Sequence, residues 1–481
     1  MVLTRHWVEQ WRRNPDALVI SSAIDETRLT GGDVDRLTTS VARGFTDHGV
    51  RSGDRVLLSC AASVETVLTY VALLRLGAVV VPANTAYTGS ELAYVIADCD
   101  PRLAVIDDAS RLSAEQLPVH SATELVADAR LSMNNEQLQL DDPHDGPAMI
   151  AYTSGTTGKP KGALLSRANL LAGAAALVEA WGWSAEDVLV HALPMFHMHG
   201  LGAGLNGTFT AGAALVVVPR FDVQVVAETI ERHQASMFFG VPTMYARFHE
   251  QQRLSALSGL RLIVSGSAPL DPLLFHAIEL GAGQPPLERY GMSETVILTS
   301  NPLHGSRKAG SVGLPLPHVE VRLGDDGGVE VDGPNIFAGY WGRPDATEHA
   351  FTDDGWFKTG DVGRYDDDGY LYLIGRASDL IITGGYNVYP REVEDVLREL
   401  ADVLDVAVIG LPDGTWGERV AAFYVSRSGC DLDQEVAATL LEERLAGFKH
   451  PRLWVRVSDL PRNAMGKVRR DVLRDQGMMD S

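Results

Sequence analysis

With 481 residues the chain is long enough for two or more domains, and its 45% apolar and 22% charged content is a globular balance. A net charge of −22, spread along the sequence, argues against non-specific binding to nucleic acid or an anionic membrane. Cys60, Cys99 and Cys430 lie far apart without metal-ligand spacing and read as thiols in a reducing compartment. Residues 1–15 carry charges and no apolar core, and the apolar stretch 67–82 is broken by Arg75 and Gly77. No secretory signal or membrane span is expected, and the cytoplasm is the default location.

In chain order, short apolar runs alternate with helical patterns. Strands are expected over 55–59, 103–106, 148–152, 214–219, 236–240 and 260–265, with helices over 64–76, 167–180 and 223–233. This alternation predicts an α/β fold for a large N-terminal domain of layered α/β subdomains. From about Val319 the texture changes to short β segments, V-E-V-R-L and R-Y-D-D-D-G-Y-L-Y-L-I-G, the second a hairpin turning over 366–369. A domain boundary is expected near Arg376, giving domains 1–375 and 376–481. Beyond it Pro390 suits a first helical position, with Glu392, Glu394 and Asp395 where the helix dipole favours anions. Strands over 403–409 and 419–425 and a helix over 433–445 complete a small α+β unit.

The stretch T-S-G-T-T-G-K-P-K-G, 153–162, packs four hydroxyls, three glycines and two lysines together. It is not a Walker A loop. Only Thr156 and Thr157 separate Gly155 from Gly158, and Pro160 follows Lys159 where that motif needs Ser or Thr. Pro160 also disfavours helix at Lys159. Backbone N–H groups, hydroxyls and ammonium groups on such a loop suit an anion, and the apolar strand before it delivers the loop to a sheet edge. A solvated turn is the plainer alternative.

Six ordered segments settle which family these residues resemble: Y-T-S-G-T-T-G-K-P-K-G, P-M-F-H-M-H-G, R-Y-G-M-S-E-T, W-F-K-T-G-D, G-R-A-S-D-L-I-I-T-G-G-Y-N-V-Y-P-R-E-V-E and P-R-N-A-M-G-K. Together they resemble the adenylate-forming superfamily of acyl-CoA synthetases, peptide-synthetase adenylation domains and luciferases, over nearly the whole chain. The resemblance implies that ATP and a carboxylate give an acyl-adenylate and pyrophosphate, that a thiol, coenzyme A, then takes the acyl group, and that the small C-terminal domain is mobile. In-line attack on the α-phosphorus needs positioning and neutralised pyrophosphate charge. Ser154, Thr156, Thr157 and Lys159 are then implied ligands of the β- and γ-phosphates, and Lys161 a solvated loop charge. Tyr290 is implied to stack on adenine, though core packing would use it equally. Glu294 is the implied catalytic acid near Mg²⁺, which Thr157 would share, and its plain reading is a helix N-terminal charge. Asp361 and Arg376 are implied at the ribose. The small residues Ser265, Gly266, Ser267 and Ala268 match a loop beside the nucleotide. Lys467 is the implied catalytic lysine, bridging carboxylate and α-phosphate during adenylation and leaving for thiol transfer. Gly384 and Gly385 would line the thiol tunnel. At the hinge the family has Asp or Lys where Ser378 stands here, followed by Asp379, so either residue could absorb the rotation.

The residue before the aromatic of the Y-G motif faces the acyl pocket in related enzymes, and here it is Arg289. An unpaired guanidinium there is costly, and a substrate carboxylate would satisfy it bidentately. The alternative is an internal salt bridge with Glu288 or another acid. His197 occupies the family's gate position beside the carboxylate site, and His199 is either a second pocket donor or a satisfied core histidine. E-R-Y-G-M-S-E with F-H-M-H-G resembles malonyl-CoA synthetases, so malonate is the expected acid, with methylmalonate close behind because one methyl changes binding by only about 1–3 kcal/mol. No obligate protein partner is evident. The rivals are an enzyme loading a carrier protein in trans, a nucleotide sensor without ligase chemistry, and a luciferase-like oxidase.

Overall fold

The computed structural model describes residues 3–112, 117–132, 145–153, 160–427, 429, 431–463 and 466–479. Among them the short apolar runs become mostly parallel strands. Leu18–Ser22, Ala214–Val217, Val188–His191, Met237–Gly240, Leu262–Ser265 and Leu287–Tyr290 lie side by side in that order, all parallel. A second sheet sets Lys161–Ser166, Pro147–Thr153, Val79–Pro82, Arg55–Ser59 and Leu103–Ile106 next to one another, parallel except for the hairpin formed by the first two. Strands buried on both faces read as continuous apolar runs, which is why their ends were so legible.

In the first sheet Val190, Val216, Phe238 and Ile263 face one way. They pack on Val226 and Ile230 of the helix Val223–Arg232, Tyr245 and Phe248 of Pro242–Glu250, and Phe275 and Ile278 of Pro272–Ala282. Truncating Phe238 to Ala would cost about 3–5 kcal/mol in such a core. The helix Val64–Leu76 is apolar around most of its circumference and buried along its length. Ser63 caps its N-terminus and Gly77, at φ 84°, takes the left-handed conformation at its end. Arg75, inside that apolar stretch, is buried too. Its guanidinium is paired with Asp35 at 2.8 Å.

Two compact units result. One holds most of the chain up to residue 357; the other gathers 322–330 and 358–481. The second opens with a hairpin, Phe357–Tyr365 against Leu371–Arg376, then a 3-10 turn, Ala377–Asp379. Val403–Asp413 pairs antiparallel with Gly417–Ser426, and Leu453–Arg456 adds a parallel third strand. Alternate residues fill two layers. Val406, Val408, Val420 and Ala422 meet Val393 and Leu397 of the helix Pro390–Leu397, while Ala407, Ile409, Ala421 and Phe423 pack with Leu473 of Arg470–Met479. The fold is therefore the expected α/β body with a small α+β C-terminal part.

Candidate active site

At the carboxyl end of Leu287–Tyr290 the strand's alternation decides where its charges go. Glu288 turns one way, and its Oε1 accepts the Leu270 backbone N–H at 3.1 Å. Arg289 turns the other. Its side chain is buried, and Nη2 donates to Ser267 Oγ at 3.4 Å. Nε finds no partner, and among the described residues no carboxylate forms an ion pair with the guanidinium. Burial pulls the Arg289 pKa down to about 9, which still leaves a cation at neutral pH. The internal salt bridge weighed from sequence is thus absent.

Neighbouring backbone is shaped around this group. A Cβ on Gly266 would sit 2.5 Å from the guanidinium, so glycine is what lets the Arg289 head lie against this loop without shifting. Ser267 takes φ 73°, a strained value for a residue with a side chain, and so turns its hydroxyl toward both Arg289 and His199 Nδ1, 3.2 Å away. His199 opens a π-helical stretch, His199–Leu205, the kind of irregular turn that re-aims side chains at sites. Burial, then Arg289, His197 and His191, hold His199 well below the ordinary histidine range, so the ring is neutral. His197 is half-buried, and its Nδ1 lies 3.5 Å from the His199 backbone N–H. Beneath them, at the end of Val188–His191, His191 is buried with neither ring nitrogen bonded, and burial lowers its pKa to about 4. Sequence reading passed over His191; the signal was a lone polar residue ending the apolar run V-L-V-H.

Glu294 stands on a turn, not at a helix start. Its buried carboxylate accepts the Tyr340 hydroxyl at 3.0 Å, and the Lys161 ammonium lies over the Tyr340 ring at 5.2 Å. Lys161 is exposed, as expected, but has an aromatic neighbour. Tyr340 was not anticipated, since a lone tyrosine in a two-residue strand carries no pattern. Val296, two residues on, holds φ 60°, which for a β-branched residue is strain beside a functional segment. Tyr290 is largely buried, as are Ser265 and Gly266; Ala268 is partly exposed. The phosphate-loop residues Ser154, Thr156, Thr157 and Lys159 lie outside the described residues.

In the second unit Asp361 and Arg376 face each other across the hairpin, Oδ1 to Nε 2.9 Å, and the Asp361 carboxylate is buried. Gly384 and Gly385 have φ 58° and 84°, the pair of left-handed residues a two-residue hairpin loop requires. Lys467 is exposed and pairs back onto Asn463. Its backbone N–H donates to Asn463 Oδ1 at 3.0 Å and its carbonyl accepts from the Asn463 N–H at 2.9 Å.

Among the described residues no three His, Cys, Asp or Glu side chains converge as a metal cage. A single carboxylate, Glu294, fits a Mg²⁺ ion held mainly by nucleotide phosphates and water. No described helix is long and apolar enough to cross a membrane.

The family model described as AMP-binding enzyme matches residues 7–341, and that of the AMP-binding enzyme C-terminal domain matches 392–467. A mitochondrial malonate–CoA ligase of Xenopus laevis is 36% identical over 485 residues, covering 87% of this chain and 82% of its own. An indoleacetate–CoA ligase of Aromatoleum aromaticum is also 36% identical, over 86% of this chain and 88% of its own. The crystal structure of ATP-bound MatB from Rhodopseudomonas palustris superposes with TM-score 0.92 at 37% identity, covering 99% of both chains. With both family models matching and relatives 36% identical over most of its length, the chain belongs to the AMP-binding enzymes.

Proposed function

We propose that this chain joins a short dicarboxylic acid to coenzyme A through an acyl-adenylate, releasing AMP and pyrophosphate, with malonate the first choice and methylmalonate the second. The observation that carries the acid is the buried Arg289 cation, hydrogen-bonded at Nη2 and unpaired at Nε. A distal carboxylate entering there would gain a charge-assisted, bidentate partner in a dry setting. Neutral His199 and the Ser267 hydroxyl would orient it, and the half-buried His197 would stand at the reacting carboxylate. The indoleacetate–CoA ligase among the relatives explains why family membership leaves the acid open; an aromatic ring would leave Arg289 uncompensated.

In this reading Ser154, Thr156, Thr157 and Lys159 hold the β- and γ-phosphates, and Tyr290 with the 265–268 loop holds adenine. Asp361, pre-oriented by Arg376, accepts the ribose hydroxyls. Mg²⁺, when bound through Glu294 and Thr157, neutralises phosphate charge. Lys467 stabilises the developing charge at the α-phosphate, then withdraws as the 376–481 domain turns about the Arg376 region, and the Gly384–Gly385 turn faces the thiol. The buried free thiols Cys60 and Cys99 fit a reducing compartment, and we assign the cytoplasm. Acid-dependent ATP–pyrophosphate exchange with malonate, methylmalonate, propionate, butyrate and indoleacetate, followed by thioester assay with CoA, tests the proposal. Exchange fastest with a monoacid would sink the diacid; exchange without thioester would favour a carrier protein as thiol donor.

A further inference from the structure

The hinge turn Ala377–Asp379 and the Lys467 turn are 88 residues apart in sequence (467 − 379). One side chain joins them. Arg470, the first residue of the helix Arg470–Met479, stands three residues past Lys467. Its Nε pairs with the Asp379 carboxylate at 3.3 Å. Its Nη1 and Nη2 reach Glu394 Oε1 at 3.0 and 2.9 Å, and Nη1 also donates to the Val408 carbonyl at 2.9 Å. Glu394 is buried, accepts the Val408 N–H at 2.8 Å and is approached by Arg398 at 3.5 Å. Both Nη groups are thereby hydrogen-bonded, while Nε faces the Asp379 carboxylate as an ion pair. The Lys467 turn is bound to the same base: Arg469 N–H donates to the Pro461 carbonyl at 2.7 Å, and Arg462 and Val468 form an antiparallel bridge.

We infer that Arg470 is a positioning residue for adenylation: by clamping Asp379 it makes the hinge turn and the Lys467 turn one rigid piece, with the pivot before Asp379, at Arg376–Ser378. Ser378 contributes a hydroxyl 3.4 Å from the Asp379 carboxylate and belongs to the exposed side of the turn. The clamp matters where Lys467 must be aimed at the α-phosphate and is idle where Lys467 is absent from the reaction. The inference rests on the two-step reading above.

Asp379→Asn is the informative variant, because it weakens the hinge contact while leaving the buried Arg470–Glu394 pair intact. Pyrophosphate exchange with malonate should fall roughly fivefold, the size of one partly exposed ion pair. CoA transfer from chemically prepared malonyl-adenylate should stay within about twofold. Arg470→Lys keeps the charge on Glu394 but cannot span both acids, and should give the same split. Lys467→Ala is run alongside. If Lys467→Ala separates the half-reactions and Asp379→Asn lowers both equally or neither, the clamp idea is overturned while the two-step reading stands. If Lys467→Ala itself lowers both equally, the two-step reading fails and the clamp falls with it.

Discussion

The acid pocket and the lysine turn handle charge in opposite ways. Arg289 is a buried cation without an ion-pair partner among the described residues, felt only at a distance by the Glu288 carboxylate, with part of its hydrogen-bonding capacity unused. Arg470 is partly exposed, hydrogen-bonded through both Nη groups to Glu394 and a carbonyl, and ion-paired with Asp379. Leaving a buried guanidinium short of partners costs stability, a cost that the proposed acid would offset on binding. Arg470, paired internally, adds rigidity instead. On the proposed reading, selection belongs to the unpaired charge and aim to the paired one near Lys467.

Four experiments would break or sharpen that contrast. The largest effect belongs to the exposed side: Lys467→Ala should lower acid-dependent pyrophosphate exchange by about 10²–10³-fold, as for removal of one preorganised charge donor, with adenylate-to-CoA transfer preserved. Next comes the pocket. Arg289→Leu should lose about 2–5 kcal/mol of transition-state stabilisation with malonate, read as kcat/KM, and gain on butyrate relative to wild type. Arg289→Lys should also be poor, since an ammonium cannot replace the fork. An unchanged malonate preference in Arg289→Leu would make that residue structural.

Third is stability against pH. His191 has its folded pKa lowered from 6.5 to about 4, so the unfolded chain binds the extra proton and folding stability falls as pH drops through that window. The loss is about 3 kcal/mol by pH 4 from this group alone. Melting scans between pH 7 and 4 should show it, and His191→Gln should flatten the curve; an equally steep curve in the variant would move the burden to other groups. The smallest effect is at Tyr340. Tyr340→Phe removes one hydrogen bond to the Glu294 carboxylate and should slow pyrophosphate exchange by about 1.5 kcal/mol, roughly tenfold. That loss should shrink at high magnesium; a loss independent of magnesium would detach Glu294 from the ion.

Secondary structure was legible where local chemistry and burial agree. The helices Val64–Leu76 and Arg167–Ala180 and the strands Arg55–Ser59 and Leu103–Ile106 begin and end at the expected residues, the helices because Ser63, Gly77 and Ser166 cap them. The irregular turn His199–Leu205 was not legible, since H-G-L-G-A-G-L has no period and owes its shape to tight contacts such as that between Gly204 and the His191 ring. Ordered motifs pointed to Arg289, Glu294 and Lys467. The contacts Arg289–Ser267, Glu294–Tyr340 and Asp379–Arg470 depend on tertiary approach across tens of residues, and no spacing rule reports that. The choice between a paired and an unpaired Arg289 turned on which way one strand residue points.

The closeness of Gly266 to Arg289 also constrains how this pocket can change over time. A side chain introduced at 266 would meet the head of Arg289 at 2.5 Å, so the guanidinium would have to move aside to make room. Variation at 266 is therefore coupled to where the Arg289 head sits. A lineage, or an engineer, that enlarges 266 displaces the cation, and one that shortens 289 frees 266 to vary.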